Sequence, residues 1–343
     1  MSSADAVAGV LWAGVTAYAV FGGADFGAGF WSLLAGGGRR GRRVRDLIDW
    51  AIGPVWEANH VWLVFVLVVL WTGFSEAFAS IFSTLFIPLS LAALGIVLRG
   101  AGFAFHHTAR RAGGRRVAEV LFGASSLLTP FFMGTVVGAI AGGRVPVGNA
   151  AGDPVTSWLN ALSLVIGALF VATSAYLAAV FLISDARRAG APDLERAFRT
   201  RALWAAVVAG ALAVAGLFAL HADARTVYDG LTGDGLPLVI ASALCGTATL
   251  VLVARGARRG ARATAVGAVV AIVWGWGVAQ HPYLLPRDLT IDAAAAPSAT
   301  LTTLLVVAGI AALLVGPAIA LLFTLAQRGV VEETARPVRR DAT

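Results

Sequence analysis

Apolar runs of roughly 20 residues recur along this chain, separated by short stretches that collect nearly all of its charge. They fall near 6–34, 56–75, 77–104, 117–141, 157–183, 202–221, 236–254, 263–280 and 299–326. A helix of about 20 residues crosses the roughly 30 Å hydrocarbon core of a bilayer, so each run predicts a transmembrane helix, about nine in all. A β-barrel would instead read as strands of about ten residues with alternating polarity. The predicted fold class is therefore an all-α integral membrane protein, its helices packed in bundles, with residues 1–343 forming a single polytopic membrane domain.

The polar stretches supply an orientation. Five arginines (Arg39, Arg40, Arg42, Arg43 and Arg45) fall in the 35–55 connection, and further clusters lie in 105–116, 184–201, 255–262 and the tail at 328–343. Those five segments hold 22 arginines, the four intervening connections hold 3, and Arg99 lies inside the third run. Arginine-rich short loops stay cytoplasmic. The pattern predicts the N-terminus outside and the C-terminus inside, with 35–55 a cytoplasmic arginine-rich connection and 328–343 a cytoplasmic tail.

Composition agrees with this picture: 58% of the 343 residues are hydrophobic and 13% charged, with a mean hydropathy of +0.81. A soluble domain carries nearer a quarter of its residues as charges. Lysine is absent, so the net charge of +7 is arginine against acid, which points to no nucleic-acid partner. A single cysteine, Cys245, excludes an intrachain disulfide, a multi-cysteine zinc site and a covalent haem motif, so no metal site is expected. No basic segment precedes the first apolar run, and a cleaved signal peptide is not expected.

Charges within hydrocarbon cost roughly 2.5–3.5 kcal/mol on insertion scales, so they face a protein interior or water. Asp25 lies in Gly22-Gly23-Ala24-Asp25-Phe26-Gly27-Ala28-Gly29, whose glycines allow neighbouring helices to approach closely. Glu57 opens the second run in Pro54-Val55-Trp56-Glu57-Ala58-Asn59-His60-Val61-Trp62-Leu63, sharing a helix face with His60 at i, i+3. Arg99 lies near one end of the third run, whereas Glu76 sits in the turn between the second and third, where solvation is sufficient. With the orientation above, Asp25, Glu57, His60 and Arg99 all fall in the cytoplasmic half. Two readings stand side by side. Buried carboxylates beside a histidine can relay protons, or Arg99 neutralises one carboxylate while Glu57 caps a helix N-terminus. Asp46 and Asp49, in the arginine-rich connection, read as members of surface ion pairs.

Haem b would require axial histidine or methionine, and the candidates are His60, His106, His107, His221, His281 and Met133. No two runs present facing mid-membrane histidines. No cofactor is therefore expected to bind through this chain's own ligands. The tryptophans, among them Trp56, Trp62, Trp71, Trp274 and Trp276, concentrate near run ends, as an interfacial belt does.

With these residues in view, the chain resembles subunit II of the cytochrome bd-type quinol oxidases. The likeness rests on Gly23-Ala24-Asp25-Phe26-Gly27-Ala28-Gly29, on the stretch from Pro54 to Leu63, and on Leu98-Arg99-Gly100-Ala101-Gly102-Phe103. Leu289-Thr290-Ile291-Asp292-Ala293-Ala294 extends it more loosely. Some positions depart from the family pattern: Glu57 stands where the family carries aspartate, Ala58 replaces glycine, and Gly22 and Ala104 occupy positions acidic in some members. Such departures mark a divergent branch.

The resemblance implies a subunit of a quinol:oxygen oxidoreductase in the bacterial plasma (inner) membrane, inactive in isolation. Its partner, subunit I, would bind haem b, haem d and the quinol, and small single-span subunits can join such complexes. Carried onto this sequence, Glu57 takes the place of a proton-path carboxylate, with Asp25 a further acid, His60 a neighbour and Arg99 their charge partner. Trp62, with Trp56 and Asn59 beside it, would lie near bound oxygen or a structural quinone. The alternative from another class is a proton-coupled secondary transporter.

Overall fold

A computed structural model describes residues 2–52, 56–108 and 112–327. The first apolar run becomes α1 (Ser3–Ala17), a π-helical turn (Tyr18–Gly22) and α2 (Gly23–Leu33) in one continuous path. Then come α3 (Gly38–Ile52), α4 (Trp56–Gly73), α5 (Ser75–Thr84), α6 (Phe86–Thr108), α7 (Ala112–Ala141), α8 (Ala161–Arg188) and α9 (Pro192–Asp223). The chain ends with α10 (Arg225–Thr232), α11 (Leu236–Ala254), α12 (Ala261–Gln280), a hairpin of β1 (Tyr283–Leu285) and β2 (Leu289–Thr290), α13 (Ile291–Ala294) and α14 (Ser298–Gln327). The two strands are antiparallel, pairing Tyr283 with Thr290 and Leu285 with Leu289.

The all-α membrane fold class holds. Among the described residues, seven helices are long and apolar enough to cross a bilayer. The pair His60–Gly73 and Ser75–Thr84, bent by 118°, makes an eighth if it counts as one span. Phe86–Gly102 is apolar but shorter, so length and composition alone do not reach the expected nine.

The expected second-to-third turn takes a different form. α4 stops at Gly73, and the helix restarts as α5, with Glu76 exposed in its first turn. A further break at Leu85 separates α5 from α6, so the expected continuous 77–104 span is two helices.

Helix ends follow from local chemistry. Asn160 caps α8 by accepting the Ser163 N–H at 3.0 Å, as short polar side chains do at N-caps. α8 closes with Gly190 at φ +66°, the Gly190 N–H donating to Arg187 O and the Ala191 N–H to Ala186 O, the paired bonds of a Schellman motif. Gly256 ends α11 in the same way, at φ +70°. In the 142–160 connection Asp153 accepts the Thr156 and Val155 N–H groups, which hold its carboxyl below the usual carboxylate range.

The core lies in three clusters. One, at the arginine-rich end, joins Val20, Ala28 and Trp31 to Leu47 and Ile48 of α3, Leu177 and Leu182 of α8, and Leu194 and Phe198 of α9. Another, toward the other end, joins Val7 and Leu11 to Phe74, Leu85, Val136, Leu285 and Ile291. The third joins Leu162, Ile166, Leu220, Val227 and Leu231. The outer faces remain apolar: Leu313 is 76% exposed, Phe218 74% and Trp204 67%, as bilayer-facing side chains are.

The 35–55 connection is largely helix. In α3, Gly41, Val44, Leu47 and Ile48 are buried at helical spacing while Arg39, Arg40 and Arg42 are exposed. Arg43 anchors the helix to α9 through a two-pronged pair with Asp193, at 2.7 and 2.9 Å. Asp46 is exposed and Asp49 half-buried on the same helix.

Candidate functional site

Asp25 lies in the first turn of α2, immediately after the π-helical turn. One extra residue in a helical turn rotates all that follows by about 100°. The face carrying Asp25 is thereby turned relative to α1, and it meets α4, α6 and α7. Close approach is forced by glycine. A Cβ on Gly27 would lie 1.8 Å from the Ser174 carbonyl oxygen of α8, and one on Gly29 would lie 2.0 Å from Ser126 Oγ of α7. Both glycines therefore hold their positions through contact with backbone or with the ion-paired cluster.

Asp25 and Arg99 are each 1% exposed. Arg99 Nε donates to Asp25 Oδ2 at 3.0 Å, and Nη2 donates to the Asp25 carbonyl oxygen at 2.9 Å. Nη2 also stands 2.7 Å from Oδ1, an ion-pair contact outside hydrogen-bond angles. Arg99 Nη1 donates to Ser126 Oγ at 2.6 Å, and Ser126 in turn donates to the Phe122 carbonyl at 2.7 Å. The guanidinium also lies over Phe26 and Phe122, 5.0 and 4.3 Å from their ring centroids. A desolvated charge pair is tolerable only when its donors are bonded, as all three Arg99 nitrogens are here.

His60 of α4 completes the cluster, its Nε2 standing 3.3 Å from Asp25 Oδ2. Its ring is 5.4 Å from Phe26 and 6.3 Å from Tyr18. The Tyr18 hydroxyl is buried beside the cluster with no hydrogen-bond partner among the described residues. The structure thus brings together three of the expected residues, Asp25, His60 and Arg99. The side chains of Glu57, Trp56 and Asn59 lie outside the described residues, as do those of His106 and His107. Trp62 is half-buried on α4, edge-on to Phe65 at 6.4 Å and apart from the cluster.

Ser126 and Tyr18 were not singled out from the sequence. Ser126 carries one weak signal: with Ser125 and Thr129 it forms a polar patch in an otherwise apolar run, and all three are buried. Pro130, inside α7, has no N–H to bond the Ser126 carbonyl, a second irregularity at this place. Tyr18 gives none, because nothing in the residue pattern announces the π-helical turn.

Each described histidine has a polar neighbour. His60 faces Asp25, His221 contacts Arg225, and His281 stands 3.4 Å from Asp5. Among the described residues no group of three His, Cys, Asp or Glu side chains could hold a metal ion.

Comparison with known proteins bears on the family and the fold. The profile of the family described as cytochrome bd terminal oxidase subunit II matches residues 4–326. A Bacillus subtilis (strain 168) chain provisionally named cytochrome bd menaquinol oxidase subunit II is 26% identical over 229 residues, 66% of this chain and 64% of that one. Subunit 2 of the cytochrome bd ubiquinol oxidase of the same organism is 27% identical over 226 residues, 65% of this chain and 64% of that one. The matched region thus spans about 64% of the length of these relatives. A chain of the solved bd oxidase from Geobacillus thermodenitrificans superposes with a TM-score of 0.75 at 26% identity, covering 95% of this chain and 98% of its own. None of these matches supports the transporter alternative.

Proposed function

The chain belongs to the cytochrome bd terminal oxidase subunit II family, and we propose that it serves a quinol oxidase reducing oxygen to water, carrying protons through Glu57, Asp25 and His60. Its place is the bacterial plasma membrane. The partner is a haem-bearing subunit I, which holds haem b and haem d, supplies the redox chemistry and oxidises the quinol. Small single-span subunits can join the complex, and a structural quinone or an oxygen channel would lie near Trp62, Trp56 and Asn59.

One observation carries the proton-path reading: a carboxylate 1% exposed stands between a guanidinium and an imidazole. Arginine does not deprotonate in proteins. Arg99 therefore fixes one positive charge against Asp25, and any proton that moves here resides on His60 or on a carboxyl. A proton on His60 Nε2 faces Asp25 Oδ2 directly, so the imidazole can take up and return it without leaving its place. Glu57 precedes His60 by three residues on α4, the spacing at which two residues share a helix face. The arginine-rich end supports uptake from the cytoplasm, in a chain that would reach nine spans if the bent pair and the shorter Phe86–Gly102 helix each count as one.

The test is Glu57→Gln in the purified complex. Oxygen consumption should fall by about tenfold or more, since a positioned acid–base group contributes at least that much, while assembly and haem content stay unchanged. Normal turnover would remove Glu57 from the route. If turnover is normal and Arg99→Ala alone blocks assembly, the cluster is purely structural.

A further inference from the structure

At the end opposite the arginine-rich one, a histidine stands where three elements meet. Asp5, in the first turn of α1, uses one carboxylate oxygen in its own helix cap, Oδ2 accepting the Ser2 N–H at 2.9 Å. Ser2 Oγ accepts the Asp5 N–H at 3.1 Å and donates to Asp292 Oδ1 of α13 at 3.0 Å. The other oxygen, Asp5 Oδ1, faces Nε2 of His281, just past the end of α12, at 3.4 Å. Beneath these side chains Ala4 and Val7 are buried with Ile291 and Ala294. The Ala296 N–H donates to the Gly73 carbonyl at 2.9 Å, so the end of α4 joins the same place.

Ser2 thus holds two carboxylates within hydrogen-bond distance of one residue, and the charge balance there turns on His281. With the imidazole neutral, Asp5 and Asp292 are two like charges brought together. With it protonated, a cation stands against Asp5 and offsets their repulsion. The other charges of the neighbouring elements are engaged elsewhere or face solvent. On the hairpin, Arg287 turns to Thr226 Oγ1 at 3.3 Å, Asp288 is exposed and Tyr283 is half-buried. Near α10, Arg225 contacts His221 and Asp229, Asp223 is exposed, and on α5 Glu76 is exposed. Histidine is the side chain that changes charge between pH 5 and 8, and carboxylic acids ordinarily titrate below that range. The His281 side chain is 57% exposed, so protons from the surrounding water reach it.

We propose that Ser2, Asp5, Asp292 and His281 form a pH-sensitive clasp, closed when His281 is protonated, that fastens the start of α1 to α13 and to the junction between α12 and the hairpin. The carboxylate favours the charged imidazole, so the clasp holds fully at low pH and loosens as the pH rises through the titration of the histidine. α1 continues through the π-helical turn into α2, which places the clasp on the span that also bears Asp25. The clasp shares no side chain with the Asp25–Arg99–His60 cluster and is independent of the proton-path reading.

The test is hydrogen exchange of the purified assembly at about pH 5.5 and about pH 8, on either side of the histidine range. Mass spectrometry reads the peptide that begins α1, corrected for the intrinsic pH dependence of exchange. Protection of its amides should fall by about twofold to fivefold at the higher pH, the size of a solvent-exposed ion pair. His281→Gln should show the weaker protection at both pH values, and since His281 is exposed its replacement leaves the core untouched. Asp5→Asn should lose the pH response as well. His221→Gln, near the end of α9 and in contact with Arg225, should retain it. Protection in the wild type that does not change with pH would overturn the proposal, as would a response that survives in His281→Gln.

Discussion

A carboxylate and a guanidinium removed from water lose several kcal/mol of hydration each, and their attraction offsets this only when the remaining donors are also bonded. The Asp25–Arg99 pair meets that condition through the Asp25 carbonyl, Ser126 and two aromatic faces. Removing one partner leaves the other charge stranded, at a cost of about 3–5 kcal/mol. Arg99→Ala should therefore sharply lower the thermal stability or yield of the assembly. Asp25→Asn combined with Arg99→Gln should recover much of the loss, because no net charge then remains buried. A double variant as damaged as Arg99→Ala would mean that shape, not charge, is what the site requires. Residue types alone disclosed that Asp25 and Arg99 face inward, since both are ionisable groups in apolar runs. They could not disclose that His60 joins this pair, because that depends on how α4 crosses α2.

At the scale of elements, the glycine motif of the first span was legible as a close-packing surface, and the structure assigns it definite neighbours. Gly27 and Gly23 offer a contrast. A methyl group on Gly27 would overlap the Ser174 carbonyl oxygen at 1.8 Å, and backbone cannot rotate aside, whereas on Gly23 it would meet Ser174 Oγ at an ordinary 3.6 Å. Gly27→Ala should therefore destabilise the protein by about 1–3 kcal/mol or more, with Gly23→Ala close to neutral, as read by thermal unfolding of the detergent-solubilised assembly. Equal stability of the two variants would contradict this packing. Two other elements escaped the sequence reading for different reasons. The five arginines of 35–55 masked a helix, although Val44, Leu47 and Ile48 at i, i+3 and i+4 were its signal. The break at Leu85 was hidden by the apolar character that runs through it, although Pro88, with no N–H to bond the Thr84 carbonyl, was its local signal.

Across the whole molecule, the arginines that suggest the orientation also build the end at which they gather. Arg187 donates to the Ala257 carbonyl at 2.8 Å while pairing with Glu195, and Arg262 links α12 to the Phe181 carbonyl and Asp185 of α8. The same side chains can thus bias insertion and then lock helix ends together, so moving one should disturb packing as well as topology. A probe of sidedness should leave them in place. In a Cys245→Ala background, Gly37→Cys tests the connection before α3 and Ala151→Cys the connection between α7 and α8, both exposed positions outside helices. With the N-terminus outside, a membrane-impermeant thiol reagent should modify Ala151→Cys in intact cells. It should reach Gly37→Cys only in inside-out vesicles. The reverse result would set the arginine-rich end outside, and with it the Asp25–Arg99–His60 cluster, whose protons would then have to come from the wrong side of the membrane for uptake from the cytoplasm.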